Sequence, residues 1–141
     1  MILLDTNVIS EAQRREPNAH VLDWLDRQAL ETLYLSTITV AELRAGIALL
    51  PVGKRRDNLH ENLEKYLLPM FVNRVLSFDM ACTKTYADLL AKSRATGLAI
   101  ETADAFIAAV AIANNFTVAT RDTSPFEAAG VNIINPWKAD R

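Results

Sequence analysis

Short apolar runs alternate with longer stretches of helical spacing along this 141-residue chain, and that alternation limits the fold more than any other feature. Met1 to Leu4 reads as a short buried strand, Leu33-Tyr34-Leu35 as a second and Arg74 to Phe78 as a third. Phe116 to Thr120 reads as a fourth strand and Val131 to Ile134 as the last. Between them, Thr6 to Gln13, Asn18 to Gln28, Thr39 to Leu50, Lys54 to Leu67 and Glu101 to Asn115 read as helices. Pro17 separates the first two helices, and Pro51 with Gly53 ends the third. In Lys54 to Leu67, one stripe carries Leu59, Leu63, Tyr66 and Leu67 with charges opposite. Asp79 is placed to cap a further helix that Gly97 would close. Strands alternating with helices predict a parallel sheet covered on both faces, a three-layer α/β domain spanning residues 1–141.

Half the residues are apolar, enough for one globular core, and no repeat or low-complexity stretch interrupts them. The single cysteine, Cys82, has no partner in the chain, which fits a reducing cytoplasm. The first apolar stretch ends at Leu4, too short for a secretion signal, and no stretch approaches the roughly 20 apolar residues of a membrane span. The run Ala105 to Ala113 reads instead as a buried helix.

Four acids fall where such a sheet would gather them. Asp5 ends the first strand and Asp122 follows the fourth, while Glu42 and Asp104 fall in the opening turns of two helices. Ligands of open α/β sheets bind beyond the carboxyl ends of the strands, so these acids point at one crevice. Two carboxylates about 4 Å apart repel by roughly 4 kcal/mol at an effective dielectric near 20. Such a cluster persists when a cation neutralises it or when some acids stay protonated. Hard divalent cations prefer oxygen ligands, which makes Mg²⁺ or Mn²⁺ the expected occupant and phosphodiester cleavage the expected chemistry. The net charge of −2 announces no nucleic acid, yet removing the four acids leaves +2, a body that tolerates a polyanion.

Each acid also has a structural explanation. Asp5 opens Asp5-Thr6-Asn7 and can serve as a helix cap, with Thr6 and Asn7 fixing its rotamer. Glu42 completes the capping-box spacing Thr39-Val40-Ala41-Glu42, in apolar surroundings that set it against buried surface. Asp104 can answer a helix dipole, typically worth under about 1 kcal/mol at an exposed site, but it heads an apolar face made by Ile107, Ala108 and Ala111. Glu101, one turn earlier, reads as a solvated dipole partner. Asp122 can be a turn acid before Thr123-Ser124-Pro125. Thr120, at the strand end, can hold a water or a phosphate oxygen. Arg44, Arg121 and Lys54-Arg55-Arg56 are candidate phosphate contacts, with solvated charge as the alternative. His20 and His60 read as surface residues; Met70, Phe71 and Trp137 read as packing.

Leu3-Leu4-Asp5-Thr6-Asn7, Glu42, Asp104 with Ile107-Ala108-Ala109, Ala119-Thr120-Arg121-Asp122 and the closing Ile134-Asn135-Pro136-Trp137 together resemble the PIN-domain nucleases, over essentially the whole chain. The likeness is greatest to the VapC/FitB toxins of bacterial toxin–antitoxin pairs. The resemblance implies a small α/β ribonuclease whose Mg²⁺ or Mn²⁺ is held by carboxylates. Asp5, Glu42 and Asp104 match the family's first three acidic positions, and Asp122 a more variable fourth. Many relatives carry another acid before the phenylalanine matching Phe126, where this chain has Pro125, a departure compatible with one tight metal rather than two. The resemblance also implies a homodimer neutralised by an antitoxin protein, with operator DNA reached only through that antitoxin.

Two other classes remain consistent with the residues. A phosphohydrolase with an aspartyl nucleophile would suit Asp5, although Asn7 stands where such families usually need a second Asp. A binding module would use the fold only to engage an antitoxin. Neither Gly-rich phosphate loop is present, which removes the Rossmann and P-loop enzymes.

Overall fold

The computed structural model describes residues 1–138; residues 139–141, the end of the span expected to form one domain, lie outside the described residues. Five strands, β1 (Ile2–Leu4), β2 (Leu33–Ser36), β3 (Val75–Leu76), β4 (Thr117–Ala119) and β5 (Ile133–Ile134), form one sheet in the order β3-β2-β1-β4-β5. Every pairing is parallel, with Leu3 opposite Tyr34 on one side and Val118 on the other. The third and fifth strands are shorter than the apolar runs that announced them. Both lie at sheet edges, where one ladder is missing and regular pairing stops sooner.

The helices are α1 (Thr6–Ala12), α2 (Ala19–Arg27), α3 (Thr37–Ala48), α4 (Lys54–Glu61), α5 (Leu68–Met70), α6 (Met80–Thr96), α7 (Thr102–Asn114) and α8 (Thr123–Ala128). Successive strand residues face opposite ways, so Leu3 and Leu4 enter different cores. Leu4 packs with Val8, Val21, Trp24, Leu35 and Leu63 on one face. Leu3 packs with Ile107, Val110, Val118 and Phe126 on the other. This is the three-layer α/β arrangement. Ala105 and Ile107 to Ala111 are fully buried, as expected of a central helix, and its two ends, with Thr102 and Ile112, reach the surface.

Three local expectations are corrected. Ser36, not Thr39, caps α3: its hydroxyl accepts the Thr39 amide at 3.1 Å, and the helix starts at Thr37. The stretch from Lys54 is not one regular helix, because Asn62–Leu67 winds as a π-helix before α5. Pro69 has no amide to continue the ordinary ladder there. Met70 is 48% exposed, whereas Phe71 and Trp137 do pack on the core. Asp79 and Gly97 act as expected, Asp79 accepting the Cys82 amide and Gly97 closing α6 at φ 71°.

The chain order reverses between β1 and β4. Strands β1, β2 and β3 run outward on one side, and β4 with β5 is added on the other. A crevice therefore opens beyond the carboxyl ends of β1 and β4, where the helices leave in opposite directions. Leu3 sits at the centre of this frame and is fully buried. Leu3→Ala is expected to destabilise the chain by about 2–5 kcal/mol in urea unfolding, at an unchanged denaturant slope.

Candidate active site

Asp5 immediately follows β1 and is 3% exposed. Its Oδ1 accepts the Thr6 amide at 2.8 Å, capping α1, and its Oδ2 accepts the Thr120 hydroxyl at 2.8 Å. The cap and the site position are thus one residue doing both. Burial pushes its carboxyl above the ordinary range; the Thr120 and Thr6 hydrogen bonds pull it back, and Glu42 and Asp122 push it further up.

Thr120 is fully buried, and its hydroxyl is spent. It donates to Asp5 and accepts the Asn7 side-chain amide at 3.3 Å and the Asp122 backbone amide at 3.0 Å. One proton and two lone pairs leave no capacity for a phosphate oxygen or a water. The expectation that Thr120 contacts substrate is corrected: it positions Asp5 and the β4 exit. Asn7 works through the same knot. Its amide also reaches Asp122 Oδ2 at 3.5 Å, and its carbonyl oxygen accepts the Arg121 amide at 3.4 Å.

Glu42 is the sixth residue of α3, not a first-turn acid, and it is exposed rather than set against buried surface. The buried stripe of α3 is Thr39, Leu43 and Ile47, one helical turn apart each, which turns Glu42 toward the crevice rim. Its Oε1 accepts the Thr6 hydroxyl at 2.6 Å. Thr6 Oγ1 also lies 3.2 Å from Thr39 Oγ1, and Thr39 Oγ1 lies 3.4 Å from Ser36 Oγ. With one proton per hydroxyl, the run is oriented Ser36 to Thr39 to Thr6 to Glu42. Sequence reasoning did not find Ser36 and Thr39 as site supports. The signal was there in a buried strand end rich in hydroxyls.

Asp104 occupies the third position of α7 and is half-buried. No hydrogen bond or ion pair holds its carboxylate among the described residues. Its pKa is raised to about 6, by burial first and then by Asp5, Asp122, Glu101 and Glu42. Asp122 precedes α8 without capping it and is exposed beside Asp104 in a cleft of about 460 Å³. The four acids thus feel one another across β1, α3, α7 and the β4 exit. Glu101 sits at the α7 cap position, exposed and not capping.

The donor set is carboxylate oxygen throughout, mutually repulsive, with one member lacking any partner: chemistry that fits a hard divalent cation. Among the described residues no three acids close tightly enough to ligate one ion as they stand. A site for Mg²⁺ needs fewer, since that ion commonly keeps several waters and takes only one or two direct carboxylates. The histidines belong elsewhere. His20 is exposed on α2, and His60 lines an α3–α4 cavity of about 570 Å³ with Arg44 and Arg56. Arg44 is committed to Glu64, at 2.8 and 3.0 Å, and does not reach the acids.

Comparison with known proteins finds relatives over nearly the whole chain. The PIN domain family model matches residues 2–131. The plasmid stability protein StbB of Pseudomonas syringae pv. tomato is 85% identical over 139 residues, 99% of this chain and 100% of that protein. The VapC ribonuclease Y4jK of Sinorhizobium fredii is 57% identical over 138 residues, covering 98% and 99%. The toxin FitB of Neisseria gonorrhoeae is 53% identical over 137 residues, covering 97% and 99%. The FitAcB crystal structure from that organism superposes with a TM-score of 0.95 at 52% identity, over 99% of this chain and 100% of that one. A FitAB structure bound to an IR36 DNA fragment gives 0.96 at 50%, over 100% and 99%.

Because folded Asp104 holds its proton to about pH 6 against an ordinary 3.8, this group binds more proton in the folded chain than in the unfolded one in that window. Stability of the metal-free protein is therefore expected to fall as pH rises from about 4 to 6. In Asp104→Asn the slope should flatten, and in wild type Mg²⁺ should offset the loss, as read by thermal unfolding across pH. Thr120→Val should cost about 1–3 kcal/mol by orphaning Asp5 Oδ2 and the Asp122 amide, whereas Thr120→Ser should restore most of it.

Proposed function

This chain belongs to the PIN-domain family, and from that premise we propose that it is a ribonuclease toxin of a toxin–antitoxin pair. It hydrolyses RNA phosphodiester bonds at the carboxylate crevice with Mg²⁺ or Mn²⁺. The observation that carries the reading is Asp104, a half-buried carboxylate without a hydrogen-bond partner among the described residues, pressed upon by three other acids and Glu101. Relatives named as a VapC ribonuclease and as toxin FitB, each matching nearly the whole chain, support the same assignment.

Asp5 and Asp104 are the direct carboxylates in this reading. Asp122, on the exposed rim, completes the set from the other side. When bound, the cation supplies charge neutralisation at the phosphate and a more acidic attacking water. Glu42, oriented by Thr6, stands at the rim where it can accept a proton or hold a water. Thr120 and Asn7 keep Asp5 and the β4 exit fixed while charge changes around them. The catalytic set is therefore Asp5, Glu42, Asp104 and Asp122, with Thr120 as its positioning residue.

The proposal extends to partners. A cognate antitoxin would bind this chain, and operator DNA would be engaged only through that antitoxin, a reading supported by a relative solved as FitAB on a DNA fragment. The active species is a homodimer of one-domain chains in the cytoplasm. No helix among the described residues is long and apolar enough to cross a membrane.

Purified, antitoxin-free protein is expected to cleave a cellular RNA pool with Mg²⁺ or Mn²⁺ and not with chelator. Asp104→Asn should lower the rate by about a hundredfold or more while retaining the fold by circular dichroism. Equal activity of wild type and variant, or cleavage indifferent to chelator, would contradict the assignment.

A further inference from the structure

Two grooves flank the acids, and one cation stands at their junction. The cleft of about 460 Å³ holds Asp104, Asp122 and Arg121. A groove of about 410 Å³ on the other side holds Asn7, Glu42, Arg55 and, again, Arg121. Among the described residues no other basic residue lines both of these surfaces.

Arg121 differs from the charged residues around it. Arg14, in the second groove, is paired with Glu11 at 3.3 Å, and Arg44 is committed to Glu64. Arg121 is exposed beside two acids of the site, and its charge also reaches Glu11, but it forms no ion pair with Glu11, Asp104 or Asp122 among the described residues. Its guanidinium carbon lies 5.2 Å from the centroid of the Trp137 ring. Its backbone is held by Asn7, the residue that also binds Thr120. An indole face orients a guanidinium without using its N–H donors, so the fork stays free for a phosphate. Trp137 in turn is seated against the core that contains Leu4 and Val8.

From this geometry we infer that Arg121, seated on Trp137, is the phosphate-gripping residue of the site. It holds the RNA backbone at the point where the strand passes from the Asp104–Asp122 cleft into the groove of Glu42 and Arg55. The inference rests on the ribonuclease reading and adds its substrate-binding residue. Arg55 is exposed further along the same groove and continues the path. Trp137 is a positioning residue: it acts through Arg121. A planar bidentate donor at this place also explains why a crevice of four acids can accept a polyanion at all.

The test separates binding from cleavage. Fluorescence anisotropy of a labelled single-stranded RNA is measured with Mg²⁺ in an Asp104→Asn background, across a salt series. Arg121→Ala should weaken binding about ten- to a hundredfold. It should also reduce the slope of log K against log salt by about 0.7, the contribution of one phosphate contact on a single strand. Arg121→Lys should keep the slope while losing affinity, since charge remains and the fork does not. Trp137→Leu should weaken binding about two- to fivefold, and Trp137→Phe less, because a smaller aromatic face remains. Affinity and slope unchanged in Arg121→Ala would overturn the inference, and metal-dependent cleavage by the wild type would then leave the ribonuclease reading standing. A wild type that neither cleaves nor binds RNA would remove that reading and this inference with it.

Discussion

Repulsion among Asp5, Glu42, Asp104 and Asp122 is the constraint around which the rest of the molecule is organised. Four elements deliver these acids to one crevice, and a folded chain that gathers negative charge at a half-buried place must hold each member against its neighbours. The strands and helices do this coarsely. The finer work falls to two hydroxyls and two amides that are themselves uncharged: the Thr120 hydroxyl and the Thr6 amide on Asp5, the Thr6 hydroxyl on Glu42, the Asn7 side-chain amide on Asp122. Asp104 alone receives no such support, and its pKa is the one displaced to about 6.

That asymmetry organises the chemistry. Asp5 is buried and doubly hydrogen-bonded, so its position is fixed whatever the state of the site. Glu42 and Asp122 lie on the rim, each held by a single side-chain contact, and can adjust. Asp104 projects from the first turn of a helix in which Ala105 and Ile107 to Ala111 are fully buried, so it cannot retreat into solvent by moving α7. A cation is the simplest neutraliser for such a group, since a charge-bearing side chain at that place would occupy the crevice itself. Of the cations near the site, Arg44 is committed to Glu64, while Arg121 rests on Trp137 beside the acids without an ion pair to them among the described residues.

Much of this was legible from the residues. Apolar runs of three to five residues between helical stretches define a buried parallel sheet, and all five expected strands occur with that sense. Their positions gave the acids' common edge without knowledge of strand order. Local sequence misled where two explanations shared one pattern. Thr39 to Glu42 has capping-box spacing, but Ser36 lies at the strand end and takes the Thr39 amide first, moving the helix start and Glu42 with it. Thr120 looked available because it ends a strand; its hydroxyl is instead consumed by contacts 113 and 115 residues away in sequence, which no local pattern encodes. The choice among Arg44, Arg121 and Arg55 likewise depended on tertiary partners. Composition placed them all on the surface alike.

The central claim is that these acids share a divalent cation, with Asp104 as a member. Calorimetric titration of Mn²⁺ into the protein near pH 6, repeated in buffers of different ionisation heat, tests it most directly. The account predicts saturable binding that releases a fraction of a proton per ion, because a cation displaces the proton Asp104 retains there. It also predicts weaker binding and no such release for Asp104→Asn. Absence of saturable binding, or binding whose affinity and proton balance are the same in wild type and variant, would contradict it.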